Sequence, residues 1–246
     1  MLAGGPPTNF AVDREVGDQF VEMFPEIIDI ARVSRAFLAR AVRYLAGEVG
    51  IRQFLDIGTG LPTVDNTHEI AQRVASDSRV VYVDNDPLVL AHARALHTGA
   101  AAGGTDYIDA DLREPDGILR AARGTLDFTQ PVALMLLGIL GHIPDDDEAR
   151  SIVKRLMEGL RSGSYLVVAD GTNVIRGAEI EEAIGVWNEA GSLPYRLRSP
   201  EQIARFFDDL ELVEPGLVSC PYWRPEPVDL GPSRELDQFG AVGRKP

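Results

Sequence analysis

Five short runs of apolar, mostly β-branched residues recur through the middle of the chain, each separated from the next by a stretch with helical spacing. The runs are RQFLDIG (52–58), RVVYVDN (79–85), TDYIDAD (105–111), VALMLLG (132–138) and SYLVVAD (164–170). The intervening helices are predicted over 63–76, 87–98, 115–123 and 146–161. Strands joined by crossovers of this length lie parallel, and a parallel sheet is covered on both faces, which is why its strands read as continuous apolar runs. The pattern predicts an α/β, doubly wound, Rossmann-like fold. Two further helical stretches, 13–24 and 26–47, precede the first strand. After the fifth strand the rhythm changes: helices over 178–190 and 199–209 lead to LELVEPGLVSC (210–220) and QFGAVGRK (238–245), which read as an antiparallel pair joined by a Pro-rich connection. The sheet is therefore expected to be mixed at its end. With no repeat and no linker beyond the Gly/Pro-rich first seven residues, one domain over 1–246 is the simplest organisation. It divides into a helical cap over 1–50 and a core over 51–246, with 171–200 inserted on the substrate side.

Charge narrows the partners. The 24 basic and 38 acidic side chains leave a net charge of -14, and no Lys/Arg cluster interrupts it, so nucleic acid and anionic membrane are not expected as partners and a small-molecule substrate or a basic partner is favoured. The single cysteine, Cys220, has no companion for a disulfide or at zinc-ligand spacing, and no metal site is expected. The start MLAGGPPTNFAVDREV lacks the basic and apolar regions of a secretion signal, so a cytoplasmic location is expected. The longest apolar run, PVALMLLGIL (131–140), is about half of what crosses a bilayer and reads as a buried strand.

The chemistry gathers at the strand ends. In FLDIGTGLPTVDNTHEIAQ (54–72) an apolar run ends on Asp56, and Gly58 and Gly60 follow before a helix resumes. Glycines there let the backbone run against a ligand, and in a doubly wound sheet ligands lie beyond the carboxyl ends of the strands where strand order reverses. The alternative is a tight turn with nothing bound. Asp84 ends the next strand, 28 positions after Asp56, where a carboxylate can accept from both hydroxyls of a ribose. Asp86, just before Pro87, reads as a helix N-cap. Asp111 ends the third strand and suits either an exocyclic amino group of a purine or another helix-start cap.

The series FLDIGTG, VVYVDNDP, YIDADL, VALMLLGILGHIPD and LELVEPGLV resembles the class I S-adenosylmethionine-dependent methyltransferases. More narrowly, LDIGTGLPT with NTHE, NFAVDRE near the start and RLRSPEQIARFFDDLELVEPGLV resemble a bacterial group of methyltransferases formerly grouped as a domain of unknown function. The resemblance covers nearly the whole chain. It implies a seven-stranded sheet with an antiparallel final hairpin and S-adenosyl-L-methionine as cofactor. By position it places Asp56, Gly58, Thr59 and Gly60 along the methionine part, Asp84 at the ribose and Asn85 against the adenine. Asp111 and Leu112 would address the adenine edge, and Leu137 with Gly138 would form the floor under the sulfonium. The group often carries a histidine where this chain has Gly141, and His142 follows at once.

Methyl transfer needs alignment and exclusion of water more than a dedicated catalytic constellation, and a base only if the acceptor must lose a proton. His142 is the candidate for that base, against a histidine that merely sits near a helix start. Arg14 and Arg35 are candidates to pair with the cofactor carboxylate, against ordinary surface ion pairs. Phe10 and Arg14, with the 171–200 stretch carrying Trp187, Asn188, Tyr195 and Arg196, are expected to cover the site. Two other readings share the glycine loop: an NAD-dependent oxidoreductase, whose fingerprint asks for a third glycine where Thr63 stands, and a catalytically silent cofactor-binding module. The sequence leaves the acceptor atom and the oligomeric state open.

Overall fold

The computed structural model describes residues 20–61, 65–89, 104–189, 193–226 and 234–246. Five parallel strands form its centre: β1 (Gln53–Ile57), β2 (Arg79–Asp84), β3 (Thr105–Asp109), β4 (Ala133–Leu137) and β5 (Tyr165–Gly171), in the order β3-β2-β1-β4-β5. Every residue of β1 and β5 is buried. Leu55, Val83, Leu134 and Val168 face one layer of helices, and Phe54, Val80, Met135 and Val167 face the other. This two-sided burial is the reason the strands carry unbroken apolar runs. Strand order reverses between β1 and its neighbours β2 and β4, which opens a crevice at their carboxyl ends.

The final strand, β8 (Gln238–Arg244), runs antiparallel to β5. Two short pieces, β6 (Glu211–Leu212) and β7 (Val218–Ser219), both pair with β8. Val213 N still donates to Val242 O at 2.8 Å before the chain leaves the ladder through Pro215 and Gly216, the latter at φ 83°. The two pieces are the ends of one interrupted edge strand, so the sheet has the seven-stranded plan with an antiparallel hairpin.

Helix α1 (Ile27–Arg43) buries Phe37, Leu38, Ala41 and Val42 and runs into a π-helical turn, Tyr44–Val49, that stops at Gly50 with φ 86°. Helix α2 (Thr67–Val74) begins four residues later than the expected 63, because the Glu69 carboxylate accepts from Asn66 N at 2.7 Å and fixes the start there. Helices α3 (Pro115–Ala122), α4 (Asp146–Glu158), α5 (Gly177–Glu189) and α6 (Pro200–Ala204) follow. Asp145 accepts from Glu148 N at 2.8 Å, and the acidic cluster PDDDE is thereby the capped first turn of α4. Residues 87–89 open the helix expected after β2; the rest of it, and residues 13–19 of the first expected helix, lie outside the described residues.

A separate small core joins the amino-terminal segment to the 171–200 stretch. Phe20, Phe24 and Ile30 pack with Ile180, Ala183 and Leu236, and the Trp187 ring meets Phe20 edge-on at 5.8 Å. Two polar anchors fix it. The buried Glu26 carboxylate meets Arg234 at 2.6 Å. Asp237, fully buried, accepts from Thr172 Oγ1 (2.9 Å) and from the backbone N–H groups of Val174 (2.8 Å), Ile175 (2.9 Å) and Arg176 (2.6 Å). The loop leaving β5 is thus folded around one carboxylate. No helix among the described residues is long and apolar enough to cross a membrane.

Candidate active site

The loop after β1 is held from both sides. Asp56 is buried at the strand end and accepts from Thr67 Oγ1 at 2.6 Å. Burial raises its carboxyl from 3.8 to about 6, against the lowering effects of the Thr67 hydrogen bond and the nearby Arg35 guanidinium. Gly58, at φ 77°, donates to Val83 O at 2.8 Å, and a Cβ built there would stand 2.5 Å from Ile139, so only glycine lets the β1 and β4 loops meet. Gly60, at φ 61°, donates its N–H to Asp84 Oδ2 at 2.9 Å, while Asp84 Oδ1 accepts from Asp86 N at 3.0 Å. Asp84 therefore ties the first loop to the end of β2, and each of its oxygens keeps acceptor capacity for a further donor. Arg35, Asp56, Thr59, Gly60, Thr67 and Tyr82 are among the residues that line one narrow cleft. Arg35 reaches it from α1, donating to Asp65 O at 3.2 Å. Arg14 and Phe10 lie outside the described residues.

Asn85 is exposed just beyond β2, and Asp86 accepts from Leu88 N at 2.8 Å, a helix cap as expected. Asp111 accepts from Arg113 N at 2.8 Å and so shapes the turn before α3, whose own cap position is Glu114. The Leu112 side chain packs into the core with Ile118 and Leu140.

At the end of β4, Leu137 is half-buried, and Gly138, at φ 73°, donates to Ala169 O at 2.7 Å. The chain then makes one tight turn, Leu140–His142. His142 Nδ1 lies 3.0 Å from Pro194 O, and its ring meets Tyr195 edge-on at 5.1 Å. Gly141 sits directly under Tyr195: a Cβ there would stand 2.3 Å from the phenol ring. The tyrosine occupies the space that a side chain at 141 would need, so a side chain larger than hydrogen there would require Tyr195 to move.

Sequence reasoning missed the network that holds this turn. Tyr195 Oη donates to Asp170 Oδ1 at 2.7 Å, and burial raises both groups above their ordinary values. Arg198, fully buried, donates to Leu140 O (2.7 Å), Ile143 O (2.5 Å) and Asp146 Oδ1 (3.0 Å) and pairs with Asp170 Oδ2 at 3.5 Å. Arg196 N donates to Gly141 O at 2.9 Å. The one visible signal was Asp170 itself, an acid ending an apolar run as Asp56 and Asp84 do.

Comparison with known proteins shows the family to which the chain belongs. The whole chain, residues 1–246, matches the model of a family described as S-adenosyl methyltransferase. The chain belongs to that family. It is 43% identical to a DUF574 family protein from Streptomyces avermitilis MA-4680, with a TM-score of 0.94 over 100% of this chain and 94% of that one. It is 41% identical to a methyltransferase candidate from Thermobifida fusca YX, with a TM-score of 0.89 over 99% of this chain and 91% of that one. The N-methyltransferase NodS from Bradyrhizobium japonicum WM9, at 15% identity and a TM-score of 0.53 over 89% of this chain and 97% of that one, shares the fold. No protein of curated function matches the chain. The methyltransferase uses S-adenosylmethionine, and the donor set suits it: an acceptor-only carboxylate for a diol, and a buried carboxylate beside a guanidinium for an amino-acid zwitterion.

Proposed function

We propose that the methyltransferase methylates a small-molecule acceptor held between the β4 turn and the 171–200 segment. The observation that carries this is the anchoring of that segment over the carboxyl ends of β4 and β5, through Tyr195 to Asp170 and Arg196 to Gly141. It supports a covered pocket beside the cofactor cleft instead of an open surface for a macromolecule. In this reading Asp84 holds the ribose, with Asn85, Asp111 and Leu112 around the adenine. Asp56 takes the cofactor ammonium, Arg35 and Arg14 its carboxylate, and Gly58, Thr59 and Gly60 let the backbone approach. Leu137 and Gly138 lie below the reacting centre. When bound, the cofactor supplies a methyl that is already electrophilic, so the chain's task is to align a nucleophile and exclude water.

Calorimetry tests the cofactor half of the reading: S-adenosylhomocysteine should bind and NAD should not, and tight NAD binding with no heat from the adenosyl compound would overturn it. Asp84→Ala should weaken S-adenosylhomocysteine binding by about 2 to 3 kcal/mol, since it removes hydrogen bonds to a charged acceptor. The variant should still melt cooperatively, because Asp84 stands at a strand end. An unchanged dissociation constant would remove Asp84 from the site.

A further inference from the structure

The geometry points to a second ligand site, at the opposite end of the sheet from the cofactor cleft, for a small elongated dianion with a carboxylate or a phosphate at each end. An open cleft of about 570 Å³ runs along the amino-terminal ends of β1, β2 and β5 and the carboxyl end of β8, and Arg52, Arg79 and Arg244 stand in its walls. Its volume falls within the range of small-molecule pockets, about 300 to 1,000 Å³. The three arginines are far apart in a chain of net charge -14, and only the sheet brings them to one border. Arg79 pairs in register with Gln53, the residue after Arg52, while Arg244 pairs with Tyr165. The order β2-β1-β4-β5-β8 sets the Arg79 and Arg244 backbones four strand spacings apart, about 19 Å. Two arginines therefore stand toward one end of the cleft and one toward the other, with the uncharged Pro131 and Gly163 between them.

Each guanidinium is anchored on one side and open on the other. Arg52 donates through Nη1 to Ala46 O (2.8 Å) and Ile51 O (3.0 Å), and its Nε meets Asp77 at 3.4 Å. Arg79 Nη1 donates to Thr125 O at 3.1 Å, and Arg244 Nη1 donates to Glu211 at 2.8 Å. Nη2 of all three makes no hydrogen bond to a described residue. The two acids in the walls are engaged: Asp77 faces Arg52, and Asp127 Oδ1 accepts from Thr129 N (2.9 Å) and Thr129 Oγ1 (2.7 Å). Tyr165 adds a neutral donor. It is only 7% exposed, its hydroxyl has no hydrogen-bond partner among the described residues, and burial raises the phenol above its ordinary value, so it keeps its hydrogen beside Arg244. A guanidinium already held in place takes up a carboxylate or phosphate with little further ordering. Because the charges stand at two ends, a ligand that reaches both gains over one with a single anionic group.

Titration calorimetry on the full chain at physiological ionic strength tests this, with suberate and hexanediol bisphosphate as probes and octanoate and hexyl phosphate as their single-ended counterparts. At least one of the two dianions should bind one to one and about tenfold more tightly than its counterpart, and which of them does so tells carboxylate from phosphate chemistry. Arg79→Gln and Arg244→Gln should each weaken that binding by about tenfold, the loss of hydrogen bonds to a charged group, while melting stays cooperative. The comparison of double-ended with single-ended probes is made on the wild type, so it stands whether or not a variant folds. Absence of saturable binding by both dianions, equal affinity for the single-ended compounds, or unchanged affinity in both arginine variants would overturn the proposal. Competition between the bound dianion and S-adenosylhomocysteine would overturn it too, by placing the probe in the cofactor cleft.

Discussion

Arg198→Ala is expected to destabilise the methyltransferase by about 3 to 5 kcal/mol, the cost of removing one partner from a buried charge network. The fully buried guanidinium serves two peptide carbonyls, Leu140 O and Ile143 O, and two carboxylates, Asp146 and Asp170. Alanine leaves all four without it, and Asp170 has no solvent to turn to. Arg198→Lys should recover only part of the loss, since an ammonium keeps the charge but cannot reproduce the planar fork. Urea denaturation checks both variants. A loss for Arg198→Ala within the range of an exposed pair, below about 1 kcal/mol, would show that the guanidinium is not bonded as described.

Asp56→Asn is expected to stabilise the protein at neutral pH while weakening cofactor binding. Burial raises the Asp56 carboxyl from 3.8 to about 6, so between these values the folded protein holds a proton that the unfolded chain has released. The contribution of Asp56 to stability therefore falls as pH rises through this window, by about 3 kcal/mol in all at 1.36 kcal/mol per unit, and stays level above it. Asparagine can still accept from Thr67 and never ionises. The variant should match the wild type below pH 4 and exceed it by up to about 3 kcal/mol at neutral pH. Binding of S-adenosylhomocysteine should run the other way, strengthening in the wild type as the carboxylate ionises up to about pH 6, and staying weak and flat in the variant. Melting and calorimetry across pH read both effects; equal stability of the two proteins at neutral pH would refute the buried charge. A variant that is more stable but binds more weakly would mark a site that trades stability for function.

The fold was legible because its strands are buried on both faces. RVVYVDN (79–85) anticipated Arg79–Asp84, and SYLVVAD (164–170) anticipated Tyr165–Gly171. The glycine loop was legible because strand-end acids and a glycine pair are local signals, and the Gly60 to Asp84 hydrogen bond spans one βα unit. The start of α2 was misread because Asn66 and Glu69, a side chain answering a backbone amide three residues back, outweigh the spacing of apolar residues that suggested 63. The Tyr195, Arg198 and Asp237 contacts were out of reach for a different reason. Arg198 meets Asp170 across 28 positions and Asp146 across 52, and Asp237 meets Thr172 across 65. Nothing periodic links such residues; only the closed fold makes them neighbours.

The interruption between β6 and β7 has a consequence for the molecule in a crowded solution. A long free strand at the border of a sheet is a template on which another chain can lay its own backbone. Here that border is two residues, a departure through Pro215 and Gly216, and two residues more, with Glu211 and Arg244 paired at 2.8 Å at one end. An incoming strand would find its ladder broken after one or two rungs, and proline offers no N–H at the gap. The break lets the hairpin finish the sheet without inviting ribbon-like growth from copy to copy.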